Sequence, residues 1–170
     1  MLLPPWSVIL IALLVVTQIM NPSERDFVWY RTLKRPGWIN MHLWFPAAWF
    51  LINITIYMST LTCWSRTGDW NWVAAYVVVL ILLRSHPWGI CRFRRLAIGL
   101  PLWLLSWLAT LILALLVRPA SPLASWLLVP ALLWTPVEAI VTFQMIGLNL
   151  RQSRSGRGPD DCRHARTGRL

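Results

Sequence analysis

Two ionisable side chains, Glu138 and His86, stand in long apolar stretches of the chain. An ionisable residue inside a membrane span is costly and usually faces protein or water, which makes both residues candidates for function. Glu138 follows Trp134 by four residues, so the two share a helix face. A neutral imidazole such as that of His86 can bind haem iron. We expect an inward-facing polar pair, either bonded to each other or jointly holding a ligand. The alternative is that each residue has only a structural role.

Further polar residues lie close to this pair in the sequence. Asn53 follows Trp49 by four residues and shares its helix face, where it either lines a site or bonds another helix. Arg84 precedes a basic turn, so we expect its side chain to extend to the membrane interface. Pro136 removes one helix hydrogen bond beside Glu138, which predicts a kink and a freed backbone carbonyl.

Other kinds of chemistry find no support in the residues. No nucleophile–base pair, metal cluster or phosphate-binding loop is evident in the sequence, which therefore does not predict an enzyme. The cysteines Cys63, Cys91 and Cys162 form no CxxC pair and no Cys/His cluster with metal spacing. The basic residues lie between apolar runs and near the end of the chain, where anionic lipid head groups would meet them, so nucleic acid is not an expected partner.

The elements that must position these residues are membrane helices. Of the 170 residues, 57% are hydrophobic and 13% are charged, about half the charge of a soluble domain. Apolar runs of this length suit helices, because backbone groups inside lipid must be satisfied within the chain. Residues 1–20 carry no Lys or Arg, so we interpret them as a retained first helix instead of a signal peptide. The sequence predicts an all-α membrane domain over residues 1–150 and a disordered basic tail over 151–170, with spans at about 6–20, 43–61, 72–90, 96–117 and 123–150.

The basic residues predict the orientation of these five spans. Thirteen of the sixteen Lys and Arg lie in the first loop, the third loop and the tail, whereas the second and fourth loops hold Arg66 and Arg118. Cytoplasmic loops carry the excess of Lys and Arg. We therefore expect the first loop and the C-terminus to be cytoplasmic and the N-terminus to lie on the opposite side.

Thirteen tryptophans are the most unusual feature of the composition, and several stand in two ordered blocks. Residues 29–38 read WYRTLKRPGW and are followed by Phe45 and Trp49, and residues 121–134 read SPLASWLLVPALLW and are followed by Leu148 and Asn149. These blocks resemble those of the TspO/MBR family of tryptophan-rich sensory proteins and translocator proteins. The resemblance covers about residues 29–149.

The resemblance implies a five-helix bundle that often forms dimers, with a pocket toward the first loop that binds porphyrin, haem or another flat hydrophobic ligand. A homodimer and a tetrapyrrole are thus the expected partners besides lipid, and no cofactor is expected beyond such a ligand. Trp29, Tyr30 and Trp38 would cover the pocket, and the residues that would line it are Trp49, Asn53, His86, Trp134 and Glu138. His86 and Glu138 depart from the family pattern, which has a tryptophan and a small residue there. Two alternatives remain: a structural or assembly protein with a degenerate pocket, and an enzyme that breaks down porphyrins.

Overall fold

The computed structural model describes residues 4–37 and 41–155, and within them the chain forms seven helices. Four are long: α3 (Met41–Thr67), α4 (Trp70–Phe93), α5 (Leu96–Val117) and α7 (Val129–Ser155). The shorter ones are α1 (Pro5–Ile19), α2 (Glu24–Thr32) in the first loop and α6 (Pro122–Trp126). Residues 151–155, which were predicted to begin a disordered tail, continue helix α7 instead. The rest of the predicted tail, from residue 156 onward, and the predicted pocket residue Trp38 lie outside the described residues.

Short polar residues begin three of the helices. The side chains of Ser23, Asp69 and Ser121 each accept a hydrogen bond from a backbone N–H in the first turn of α2, α4 and α6. Such caps satisfy donors that have no partner within the helix. Gly68, at φ +65°, makes the turn from α3 into α4, a conformation that glycine adopts without steric cost.

The predicted fifth span is not one continuous helix but is divided into α6 and α7. The break follows Trp126 and precedes Pro130, which lies in the first turn of α7. Proline has no backbone N–H and clashes with the carbonyl four residues before it, here that of Trp126. The chain therefore turns between the two helices, although together they still make one span, Pro122–Leu150.

Helix α4 occupies the centre of the bundle, where it packs against α1, α2, α3 and α5, while α7 packs against α5 and α3. The main core is apolar and includes Ile9, Ile56, Leu80 and Leu128. One buried polar link crosses it: the Ser59 hydroxyl donates to the Ala124 carbonyl and is paired with the Tyr76 hydroxyl, both at 2.6 Å. This link joins α3, α4 and α6.

Among the described residues, four helices are long and apolar enough to cross a membrane, and a fifth span results if α1 and α2, which meet at a 51° bend, are counted as one. Helix α1 alone has 15 residues, fewer than the roughly 20 that cross the hydrocarbon core. Many large apolar side chains, such as Phe50, Leu116 and Phe143, are exposed on the outside of the bundle, as lipid contact requires. The predicted all-α membrane bundle is confirmed, and the protein is an integral multi-pass membrane protein.

Candidate functional site

A cavity of about 400 Å³ opens at the first-loop end of the bundle. Helices α3, α4 and α7 form its walls, and the first loop with α2 covers it. Its volume lies within the range of small-molecule sites. The side chains that give it chemical character are Tyr30, Arg31, Arg35, Phe45, Trp49, Arg84, His86, Cys91, Glu138 and Thr142.

Glu138 is buried in the α7 wall, where Trp134, Trp49 and His86 are its polar neighbours. The Trp134 indole N–H donates to Oε1 at 2.8 Å, which confirms that the two residues share a helix face. The other oxygen, Oε2, lies 3.7 Å from Nδ1 of His86 on α4. That distance exceeds an ordinary hydrogen bond but allows attraction between charges. The predicted polar pair is thus present as two adjacent inward-facing groups.

The imidazole of His86 is seated against helix α5. A Cβ added at Gly99 would lie 3.1 Å from Cδ2 of His86 and 2.5 Å from Cδ1 of Ile90, so only glycine leaves room for both side chains. Nε2 of His86 is buried and has no hydrogen-bond partner among the described residues. A carboxylate beside one ring nitrogen is the usual arrangement for a metal-binding histidine. Haem ligation by His86 stays a prediction.

Arg84 is the main cavity residue whose position the sequence did not predict. Its guanidinium carbon lies 4.2 Å from the centre of the Trp49 ring, a cation–π arrangement. The expectation that this side chain extends to the membrane interface stays a prediction, and the structure adds that the side chain packs on Trp49 in the cavity wall. Helical spacing gave a signal: Arg84, Pro87 and Cys91 follow one another at three and four residues and all line the cavity.

The first loop is fastened over the cavity by contacts to helix α7. The side-chain amide of Asn149 accepts from the Lys34 backbone N–H and donates to the Lys34 carbonyl, both at 3.2 Å. The Tyr30 hydroxyl contacts the sulfur of Met145 at 3.7 Å. Arg35 donates to the Tyr30 carbonyl at 3.3 Å, and its guanidinium lies 5.4 Å from the Tyr30 ring centre. Asn149, Lys34 and Arg35 were not among the predicted site residues, although all three lie in the two sequence blocks.

The predicted site residues do not all line the cavity. Tyr30, Trp49, His86 and Glu138 do. Trp134 stands behind Glu138, with its ring edge-to-face on Phe45 at 5.4 Å. Two further predicted residues lie elsewhere: Trp29 packs on the small cluster around Ile90 and Met145, and Asn53 faces a second groove between α1, α3 and α4. The prediction for Trp38 falls outside the described residues.

The side chain of Asn53 is bonded within its own helix. Its side-chain N–H donates to the Trp49 carbonyl at 2.7 Å within the same helix, which satisfies the amide without a partner helix.

The described residues contain no group of three His, Cys, Asp or Glu side chains that could hold a metal ion. A ligand in the cavity would therefore be held by aromatic faces, three arginines and the Glu138–His86 pair.

Comparison with known proteins identifies a family. The family model described as the TspO/MBR family matches residues 6–148, a span that includes all of the cavity residues. No curated protein matches the chain significantly.

Proposed function

The chain belongs to the TspO/MBR family, and on that basis we propose that it binds a flat hydrophobic ligand, a porphyrin or haem, in the first-loop cavity. Binding there would serve the sensing, transport or regulation of tetrapyrrole metabolism. The family match covers most of the chain and supports a class of ligand. His86 and Glu138, which depart from the family pattern, would set which member of that class this chain binds.

The composition of the cavity wall is the observation that carries this proposal. Tyr30, Phe45 and Trp49 supply aromatic faces, and charged groups are restricted to a few positions. Binding sites for small molecules are mostly apolar with a few placed polar groups, and a flat conjugated ring can stack on aromatic side chains. The cover made by Tyr30 and Arg35 would separate such a ring from water.

Titration of the purified full chain in detergent with haem and with protoporphyrin IX tests the proposal. We expect a shifted Soret band and saturable quenching of tryptophan fluorescence. Trp49→Ala should weaken binding by about two- to tenfold, because an aromatic contact contributes roughly 0.5–1.5 kcal/mol. Trp126→Ala is the matched control, since Trp126 is 72% exposed on the outside of the bundle.

The two alternative functions predict different results. A structural protein with a degenerate pocket would show no saturable change with either ligand, which would refute the proposal. A porphyrin-degrading enzyme would bind protoporphyrin IX and then lose its absorbance with time as a product forms. Stable spectra after binding would support binding without catalysis.

A further inference from the structure

The residues that line the cavity include more basic than acidic side chains. Arg31, Arg35 and Arg84 line it, whereas Glu138 is the one acidic residue among the described lining residues. A charge held in a membrane bundle is costly unless it finds a partner. Of the three arginines, Arg84 lies on the long helix α4 and is therefore the one for which a ligand with negative charge would matter most.

Arg84 is the cation best placed to receive that charge. It lies on the span-forming helix α4, and its Nε is buried without a hydrogen-bond partner among the described residues. Its guanidinium carbon lies over the Trp49 ring, 4.2 Å from the ring centre. A guanidinium that packs on an aromatic ring keeps the N–H donors at its edge available for a ligand.

Glu138 does not already use these donors. One of its oxygens accepts from Trp134 and the other faces His86. The described residues hold no carboxylate within ion-pair distance of Arg84. Arg84 thus lines the cavity with donors that no described carboxylate takes up.

We propose that Arg84 binds a carboxylate of the ligand inside the cavity, so that the site selects flat apolar molecules carrying an acid group. This inference rests on the proposed function, which it narrows from flat hydrophobic ligands to acidic ones. The guanidinium edge matches the two oxygens of a carboxylate, and the apolar remainder of the ligand would lie against Trp49, Phe45 and Tyr30. Trp49 then has two tasks, since it orients Arg84 and contacts the ligand.

Two probes that differ only at their acid groups test the inference. Protoporphyrin IX carries two carboxylates, and its dimethyl ester has the same ring without them. Affinities of both are measured on the purified full chain, on Arg84→Gln, and on Arg66→Gln as the control. Arg66 is an exposed arginine in the last turn of α3, away from the cavity.

We expect the unaltered chain and Arg66→Gln to bind the acid at least about tenfold more tightly than the ester, which corresponds to about 1.4 kcal/mol. Arg84→Gln should bind the two probes equally. Equal binding of acid and ester by the unaltered chain, or a preference that survives in Arg84→Gln, would overturn the inference while leaving the proposed function intact. Failure of every variant to bind either probe would instead refute the proposed function itself.

Arg84→Lys tests whether a loss of binding in Arg84→Gln comes from lost recognition of the acid group or from an altered fold. Lysine keeps the positive charge but lacks the planar fork, so we expect it to retain the fold and part of the preference for the acid. Thermal unfolding of each variant shows whether the bundle is intact. A fully retained preference in Arg84→Lys together with a lost one in Arg84→Gln would still support a carboxylate at this position, held by charge alone.

Discussion

The indole N–H of Trp107 in α5 donates a hydrogen bond of 3.2 Å to the backbone carbonyl of Leu132 in α7. That carbonyl lies four residues before Pro136, whose nitrogen has no hydrogen to complete the helix bond. The indole N–H of the neighbouring Trp103 donates to the carbonyl of Thr135. The two indole rings are stacked, with their centres 6.5 Å apart. Deep tryptophans of α5 therefore satisfy carbonyls on the segment of α7 that leads to Glu138.

Trp107→Phe should destabilise the bundle by about 0.6–2 kcal/mol, because it leaves the Leu132 carbonyl unpaired inside the membrane. Thermal unfolding in detergent measures the change. Pro136→Ala restores a backbone N–H, so Trp107→Phe should cost less in that background. An equal cost in both backgrounds would show that Trp107 acts by packing and not through the carbonyl.

Sequence reasoning located the helices and the contacts within a helix, since both depend on the order of residues alone. Long apolar runs placed α3, α4 and α5, a spacing of four predicted the Trp134–Glu138 contact, and Pro136 predicted a freed carbonyl. The partner that satisfies that carbonyl could not be predicted, because it depends on how α5 is rotated against α7.

The unknown packing between helices also explains why Asn53 was wrongly assigned to the cavity and why the position of Arg84 was not predicted. Asn53 and Trp49 share a helix face, yet only Trp49 reaches the cavity, since one turn of α3 is enough to carry Asn53 to a groove beside α1. The position of Arg84 depends on a ring from another helix. Contacts between helices depend on how the helices pack against each other. Apolar periodicity does not specify that packing in a chain whose outer surface is also apolar.

Gly99→Val should destabilise the protein by about 1–3 kcal/mol, the usual cost of overpacking a core. The new side chain would meet Ile90 at 2.5 Å and push His86 from its seat, so ligand affinity should fall as well. Gly147→Val on α7 is the control, because nothing lies within 4 Å of a Cβ there. Similar losses from both substitutions would indicate a general effect of replacing a helix glycine and not a steric one.

Asn149→Ala should loosen the cover of the cavity, because it removes both hydrogen bonds to the Lys34 backbone. We expect faster hydrogen exchange in residues 30–35 and a several-fold faster release of bound porphyrin. Asn71→Ala, at an exposed position near the α3–α4 turn, is the control. Exchange and release that match those of the unaltered chain would show that the first loop is held by other contacts.

Topology can be tested with reporters at three positions: the N-terminus, the α3–α4 turn at Gly68 and the C-terminus at Leu170. The excess of Lys and Arg on one side predicts that the first two are external and the third is cytoplasmic. An N-terminal tag on the same side as Leu170 would show that α1 and α2 do not cross the membrane as a unit. Gly68 and Leu170 on one side would contradict both the four-span and the five-span arrangement.

Glu138→Gln and Glu138→Leu separate the structural role of this residue from a role in binding. Glutamine keeps an oxygen that can accept from Trp134, so we expect its stability to remain close to that of the unaltered chain. Leucine fits the space but leaves the Trp134 indole N–H and His86 Nδ1 without their partner. An unsatisfied buried polar group costs about 1–3 kcal/mol, so the leucine variant should unfold at a lower temperature.

Ligand spectra of the same two variants complete the test. If His86 binds haem iron, His86→Ala should shift the Soret band of bound haem, and Glu138→Gln should shift it less, because the carboxyl only orients the ring. If the pair is purely structural, each change alters the unfolding temperature and leaves the spectra as they are. A Glu138→Gln variant with lower porphyrin affinity at unchanged stability would place the carboxyl itself in contact with the ligand.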